Sequence, residues 1–176
     1  MPPRRIGTEQ ADKAVEARLA GQEKEKKPPL SQFAAQLGLS DVQRDGVQRE
    51  VLRGQVQIME ALKVPAADGT VFLDQLVDVF VDMASGPPEQ AQARMVGVFS
   101  RLMTERIPGR EETYSVHIET IKKGVSETFR RDFTPEQWVA YEKMGQDPTE
   151  IQVEGGPWQE LMAKVGERVA AKQAAK

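Results

Sequence analysis

Between Leu37 and Lys172 the apolar residues recur three and four positions apart, the spacing that collects side chains on one face of a helix. Proline, glycine and Ser/Thr residues divide this pattern into segments. Ahead of it, a charged stretch from Thr8 to Lys27 has only Ala11, Ala14, Val15 and Leu19 near helical spacing. Such a helix is marginal alone, and Pro28-Pro29 ends it. A short helical turn is expected from Ser31 to Leu37, closed by Gly38. Ser40-Asp41-Val42-Gln43 reads as a capping box: the hydroxyl accepts from the amide three residues on, and Gln43 reaches back to the amide of Ser40. The helix it launches should run to about Lys63, with Val47, Val51, Leu52, Ile58, Met59 and Leu62 inward. Gly46 and Gly54 either weaken that helix or admit a close neighbour.

After a turn at Pro65 and Asp68-Gly69, Thr70 is expected to start a helix over Val71 to Ala84. It is apolar nearly all round, from Val71 through Phe80 to Met83, apart from Asp74, Asp78 and Asp82 at four-residue spacing. The length of the run favours helix over strand and suggests a central helix or half of a dimer contact. A proline start at Pro87-Pro88 opens the next helix, to about Arg106, with Met95, Val96, Val98, Phe99, Leu102 and Met103 inward. Ile107-Pro108-Gly109 stops it. A further helix from Glu111 to Arg131 carries Tyr114, Ile118, Ile121, Val125 and Phe129 on one face. Thr134-Pro135-Glu136-Gln137 repeats the capping box, and its helix, with Trp138, Val139, Tyr141 and Met144, ends at Gly145. A last helix runs from Trp158 to about Lys172, with Leu161, Met162, Val165 and Val169 on its apolar face.

Every strong element is therefore helical. Short connections place neighbours antiparallel, so the expected fold is an all-α antiparallel bundle of about five to seven helices. The expected organisation is a flexible, charged N-terminal segment over 1–29, one helical domain over 30–173, and a frayed tail over 174–176. A length of 176 residues suits one domain with tails. Hydrophobic residues at 39%, charged residues at 29% and a mean hydropathy of -0.51 still leave too much apolar surface for disorder throughout. No run approaches the roughly 18 apolar residues of a membrane span. The net charge of -3 argues against nucleic acid, which needs clustered positive charge. The basic cluster Lys24, Lys26, Lys27 is diluted by Glu23 and Glu25. With no cysteine, disulfides, thiolate metal sites and thiol catalysis are excluded.

The two capping boxes share one pattern: Leu39-Ser40-Asp41-Val42-Gln43 and Phe133-Thr134-Pro135-Glu136-Gln137, each an apolar residue, Ser/Thr, two variable residues and Gln. Both could be ordinary helix caps. With their flanks, Leu37-Gly38 before the first and Trp138 after the second, they resemble the motif of the LTxxQ family, the Spy- and CpxP-like small helical proteins of the bacterial envelope. The resemblance covers roughly Leu37 to Met144. It implies a helical, dimeric, periplasmic protein of the stress response, without enzymatic activity, that binds unfolded clients or a sensor partner on an apolar cradle. The apolar helix over Val71 to Ala84 implies a more compact core than that cradle.

Little else in the sequence carries chemistry. His117 is the sole histidine; with Glu112, Glu119 or a methionine it could touch a metal, but one histidine without a second or a cysteine is a poor transition-metal site, and a Ser–His–Asp triad is equally unsupported. The aspartate stripe reads as a solvent-facing edge, or as a partner for Arg94, Arg101 or Arg106 on the next helix. Gly155-Gly156-Pro157 lacks the strand and the Lys-Ser/Thr of a phosphate loop and reads as a turn. Arg106 to Tyr114 is a charged Pro-Gly corner or a partner contact. Met59, Met83, Met95 and Met103 either pack the core or line an adaptable groove.

The expectation is a non-enzymatic binding protein with no catalytic, cofactor or metal residues, taking a protein client or partner through an apolar groove and forming a homodimer. The candidate partner-binding residues are Met95, Phe99, Leu102, Met103, Arg106 and Arg110. Met1-Pro2-Pro3-Arg4-Arg5 lacks the apolar stretch of a secretion signal. The location is therefore periplasmic if a leader precedes this chain, and cytoplasmic otherwise. The alternative is a cytoplasmic structural or regulatory adaptor that docks on a partner through its N-terminal segment.

Overall fold

Seven α-helices and one 3-10 turn make up residues 29–175, the part of the chain that the computed structural model describes. They are α1 (Leu30–Leu37), α2 (Asp41–Lys63), α3 (Phe72–Ser85), α4 (Pro88–Thr104), α5 (Tyr114–Asp132), α6 (Pro135–Met144), the turn Pro148–Glu150, and α7 (Pro157–Ala174). No strand occurs among the described residues, where the only ladder pairs are isolated bridges, Pro29 with Gln152 and Arg106 with Thr113. The fold is an all-α bundle. The expected helix over Thr8 to Lys27 lies outside the described residues.

Helices α2 and α5 form the spine. They run antiparallel: Val47 and Val51 share a cluster with Val125 and Phe129, while Ile58 and Leu62 share another with Ile121 and Tyr114. Gly54 sets their separation. A Cβ there would lie 2.8 Å from Cγ2 of the buried Val125, closer than packed carbons tolerate. Gly46, by contrast, faces open space.

The spine passes through two apolar clusters. One gathers α1, the first half of α2, the second half of α5, α6 and Ile151 and Val153 around Phe33, Phe129, Phe133 and Tyr141. Phe129 and Phe133 stack at 5.2 Å, and Tyr141 meets Phe33, Phe129 and Phe133 edge-on. The other gathers the rest of α2 with α3, α4 and α7 around Phe72, Val77, Val98, Leu102 and Tyr114. Gln55, 1% exposed, donates both amide hydrogens to the carbonyls of Thr149 and Ile151 and so fastens the 148–151 turn to α2.

Helix α3 packs against α2, α4 and α7, the central place expected of it. Its surroundings are less complete than the sequence suggests: Phe80 is half-buried and Met83 is 50% exposed. Several element ends also shift. Thr70 does not cap α3; its N–H donates to Asp68 Oδ1 in the preceding turn, and Val71 takes the cap position. Helix α4 ends at Thr104, before Arg106, because Glu105 accepts from Tyr114 N–H and Ile107 N–H donates to Glu112 in a small ladder. Thr113, whose hydroxyl accepts from Val116 N–H, rather than Glu111, starts α5. The last helix persists to Ala174, inside the expected frayed tail.

Candidate functional site

The two capping boxes form as the residue types require. Ser40 Oγ accepts from Gln43 N–H at 3.2 Å while Gln43 Oε1 accepts from Ser40 N–H at 2.9 Å; Thr134 and Gln137 repeat both bonds at the same distances. The boxes also touch each other. Gln43 Nε2 donates to Gln137 Oε1 at 2.8 Å, and Gln137 Nε2 donates to Gln43 Oε1 at 3.2 Å. The second hydrogen of each amide goes to a backbone carbonyl two residues before the opposite cap: Gln43 to Asp132, Gln137 to Gly38, both at 3.1 Å. Each glutamine thus uses both donors and both acceptor lone pairs. Leu39 and Phe133, the apolar residues ahead of the caps, belong to the cluster beneath. The junction ties α1–α2 to α5–α6 and is an approximate two-fold, but it is closed: no unsatisfied group remains there to take a ligand.

The open surface lies elsewhere, on α4. Ala91, Val98 and Leu102 are buried and Met95 is half-buried, forming the stripe that faces the core. Val96, Phe99 and Met103, expected inward, instead face solvent with 62%, 51% and 67% exposure. The correction has a simple cause. A helix that is apolar on two stripes about 100° apart can bury only one of them against a single neighbouring layer, and Val98 and Leu102 occupy the contact with α3 and the spine. The result is a convex apolar ridge, not a groove. Of the candidate partner-binding residues, Phe99 and Met103 lie on this ridge and Leu102 lies beneath it. Arg106 and Arg110 are exposed at the corner beyond its C-terminal end.

The groove beside the ridge, between α3 and α4, mixes charged and polar side chains with apolar surface, Val98 included. It is lined by Gln75, Asp78, Arg94, Gly97, Ser100 and Arg101 among others, with a volume of about 620 Å³. Its charges are engaged. Asp82 pairs with Arg94 at 2.8 Å and with Lys172 at 3.7 Å, and Asp78 pairs with Arg168 at 2.6 Å. Asp78 and Asp82 of the aspartate stripe therefore clamp α3 onto α4 and α7, while Asp74 lies on its exposed edge. Arg101 turns away from it, to Asp68 and Glu105, and lies 5.0 Å over the Phe72 ring.

His117 sits in a shallow hollow of about 350 Å³ with Gln57, Glu60, Ile107 and Arg110. Its Nδ1 lies 2.8 Å from Glu112 Oε1, which also accepts from Arg110 at 3.1 Å. The bond from Arg110, then the contact with His117, hold the Glu112 carboxyl below its ordinary range against the opposing effect of desolvation. Glu119 faces away, 3.9 Å from Lys122. No cluster of three His, Cys, Asp or Glu able to hold a metal occurs among the described residues. Nor is any described helix long and apolar enough to cross a membrane.

Sequence reasoning assigned Val96 to the core and passed over Glu89. The signal was there: Glu89, Gln92, Val96, Phe99, Met103 and Arg106 follow one another at spacings of three and four, one residue out of phase with the core stripe. No protein-family model matches this chain, and no curated protein or solved structure does.

Proposed function

We propose that the chain is a non-enzymatic binding protein that takes an extended or unfolded protein client on the outer ridge of α4. One observation carries this reading: Val96, Phe99 and Met103, three large apolar side chains at i, i+3 and i+7, are all more than half exposed on one helix face. Apolar surface concentrated in this way marks a recognition face, where single exposed apolar residues would not. Phenylalanine supplies a rigid anchor and methionine an adaptable one, a combination suited to clients of varied sequence. The twin capping boxes support the same reading through their resemblance to the LTxxQ pattern, which also suggests an envelope location and a role in stress. Their mutual hydrogen bonds make them a structural joint, so recognition falls to the ridge.

The test is aggregation of a reduced, thermally unfolded client followed by light scattering. The full chain should suppress scattering at a few-fold molar excess, and Phe99→Ser with Met103→Ser should abolish suppression while leaving the melting temperature within a degree or two. Unchanged suppression in the double variant rejects the ridge as the client surface.

A further inference from the structure

The hollow that holds His117 is walled by α2, α5 and the corner between α4 and α5, and none of its lining residues belongs to α4. Its floor is apolar: Ala61, Ile107 and Ile121 are buried there, and Val64 is half-buried. Its rim carries charge of both signs from different elements. Glu60 comes from α2 and Arg110 from the corner, and both are exposed.

The corner is built to hold Arg110 in place. Arg110 N–H donates to the Ile107 carbonyl at 2.9 Å across Gly109, whose φ of +83° suits glycine. Ile107 N–H donates to the Glu112 carbonyl at 3.1 Å, and Tyr114 OH donates to the Val64 carbonyl at 2.9 Å, so the corner, α5 and the end of α2 are fixed to one another. Glu112 Oε1 accepts from Arg110 Nη1 at 3.1 Å and lies 2.8 Å from His117 Nδ1. Beside an ionised carboxylate, Nδ1 carries the hydrogen. One oxygen thus orients both side chains. Nη2 and Nε of Arg110, and Nε2 of His117, have no partner among the described residues. Glu60 forms no ion pair with another described residue.

Unpaired donors on the corner, an unpaired carboxylate on α2 and an apolar floor define the ligand. An anion alone would meet Arg110 but face Glu60 and Glu112; a cation alone would meet Glu60 but face Arg110. A zwitterion suits both. The volume of about 350 Å³ is at the small end of ligand sites.

We propose that the hollow binds a free apolar α-amino acid, with its carboxylate on Arg110, its ammonium on Glu60 and its side chain over Ala61, Ile107 and Ile121. His117, 3.3 Å from Arg110, flanks the carboxylate. The fixed corner means that little ordering is needed on binding. The site shares no residue with the ridge of Val96, Phe99 and Met103 and does not depend on the client reading.

The experiment is a titration of the full chain with L-leucine, followed through the carbon-bound ring hydrogens of His117 by NMR; as the sole histidine it gives one unambiguous set of signals. A saturable shift is expected, with a dissociation constant of about 0.1–10 mM, the range of so small a ligand at an open site. Leucinamide, which lacks the carboxylate, and N-acetylleucine, which lacks the ammonium, should each bind about three- to tenfold more weakly, and glycine about tenfold more weakly. Arg110→Gln and Glu60→Gln change exposed residues and should leave the melting temperature within about two degrees, while each weakens leucine by about three- to tenfold. Leucinamide should be indifferent to Arg110→Gln, and N-acetylleucine to Glu60→Gln, because each lacks the group that the altered residue holds. Phe99→Ser should leave leucine affinity unchanged. No saturable shift within that range, glycine or either capped form binding as well as leucine, or an affinity indifferent to Arg110→Gln or to Glu60→Gln overturns the site. Any of these results leaves the client reading of α4 standing.

Discussion

The carboxamides of Gln43 and Gln137 hydrogen-bond each other in both directions, at 2.8 and 3.2 Å, across 94 positions of sequence. Each also completes its own capping box and holds a backbone carbonyl of the opposite strand of chain, so the two helix starts form one unit. Gln43→Ala should therefore cost more than a lost cap, about 1–3 kcal/mol, because it leaves the Gln137 amide short of a partner. Ser40→Ala and Thr134→Ala, which remove only the cap acceptor, should each cost about 1 kcal/mol. Urea unfolding of Gln43→Ala, Gln137→Ala and the double variant checks the joint directly. A coupling above about 0.5 kcal/mol is expected, and additive losses would show that the caps act separately.

The two glycines of α2 should respond in opposite directions. Gly54→Ala drives a methyl against Cγ2 of Val125, a buried and stiffly branched side chain, and should destabilise by about 1–3 kcal/mol. Gly46→Ala meets nothing within 4 Å and should stabilise by about 1 kcal/mol through helix propensity. Thermal unfolding of both variants measures the contrast.

In the second cluster, Phe72 is fully buried, 4.7 Å from the Tyr114 ring, whereas Phe80 is half-buried at the edge. Phe72→Ala should cost about 3–5 kcal/mol and Phe80→Ala clearly less. Equal losses in denaturant titrations would mean that α3 is more deeply enclosed than its contacts imply.

The helical character of the chain, and most helix starts, were legible because the signals are local. Ser40-x-x-Gln43, Pro88 at a first turn and Gly145 after a last one each act within four residues. Four things were not legible. The partnership of Gln43 with Gln137 joins residues far apart in sequence, and the capping box looks the same whether its glutamine is alone or paired. The end of α4 is set by a ladder between Glu105 and Tyr114, a tertiary event that the apolar run through Met103 does not foretell. Most consequential is α4 itself, whose Val96–Phe99–Met103 and Val98–Leu102 stripes are alike in composition. Only the position of α3 decides which stripe is buried. The aspartates of α3 likewise found Arg168 and Lys172 on α7, remote in sequence, as well as the nearby Arg94.

Stability should respond to pH at both extremes through Lys122 and Asp147, which pair at 2.7 Å with side chains 29% and 23% exposed. Burial pushes the Asp147 carboxyl up, but the bonds from Lys122 and from Thr149 outweigh it and hold the group below its ordinary value. Its contribution is thus present above about pH 4 and is lost as pH falls through the depressed value. Burial likewise pulls the Lys122 ammonium down, and the bond and charge of Asp147 more than reverse it, so that contribution is present below about pH 10 and is lost as pH rises through the raised value. Asp147→Asn should cost about 1–2 kcal/mol at neutral pH and flatten the acid limb of the melting temperature against pH. An acid limb as steep as that of the unaltered chain would remove this pair from the account.

The ridge of α4 is the centre of the functional account, and client affinity tests it most directly. Fluorescence anisotropy of a labelled, permanently unfolded client, titrated with dilute chain, should give saturable binding that Phe99→Ser weakens at least tenfold, while Phe80→Ser, away from the ridge, leaves the affinity of the folded fraction unchanged. Binding that survives Phe99→Ser, Met103→Ser and their combination at full strength would contradict the account and place recognition elsewhere on the molecule.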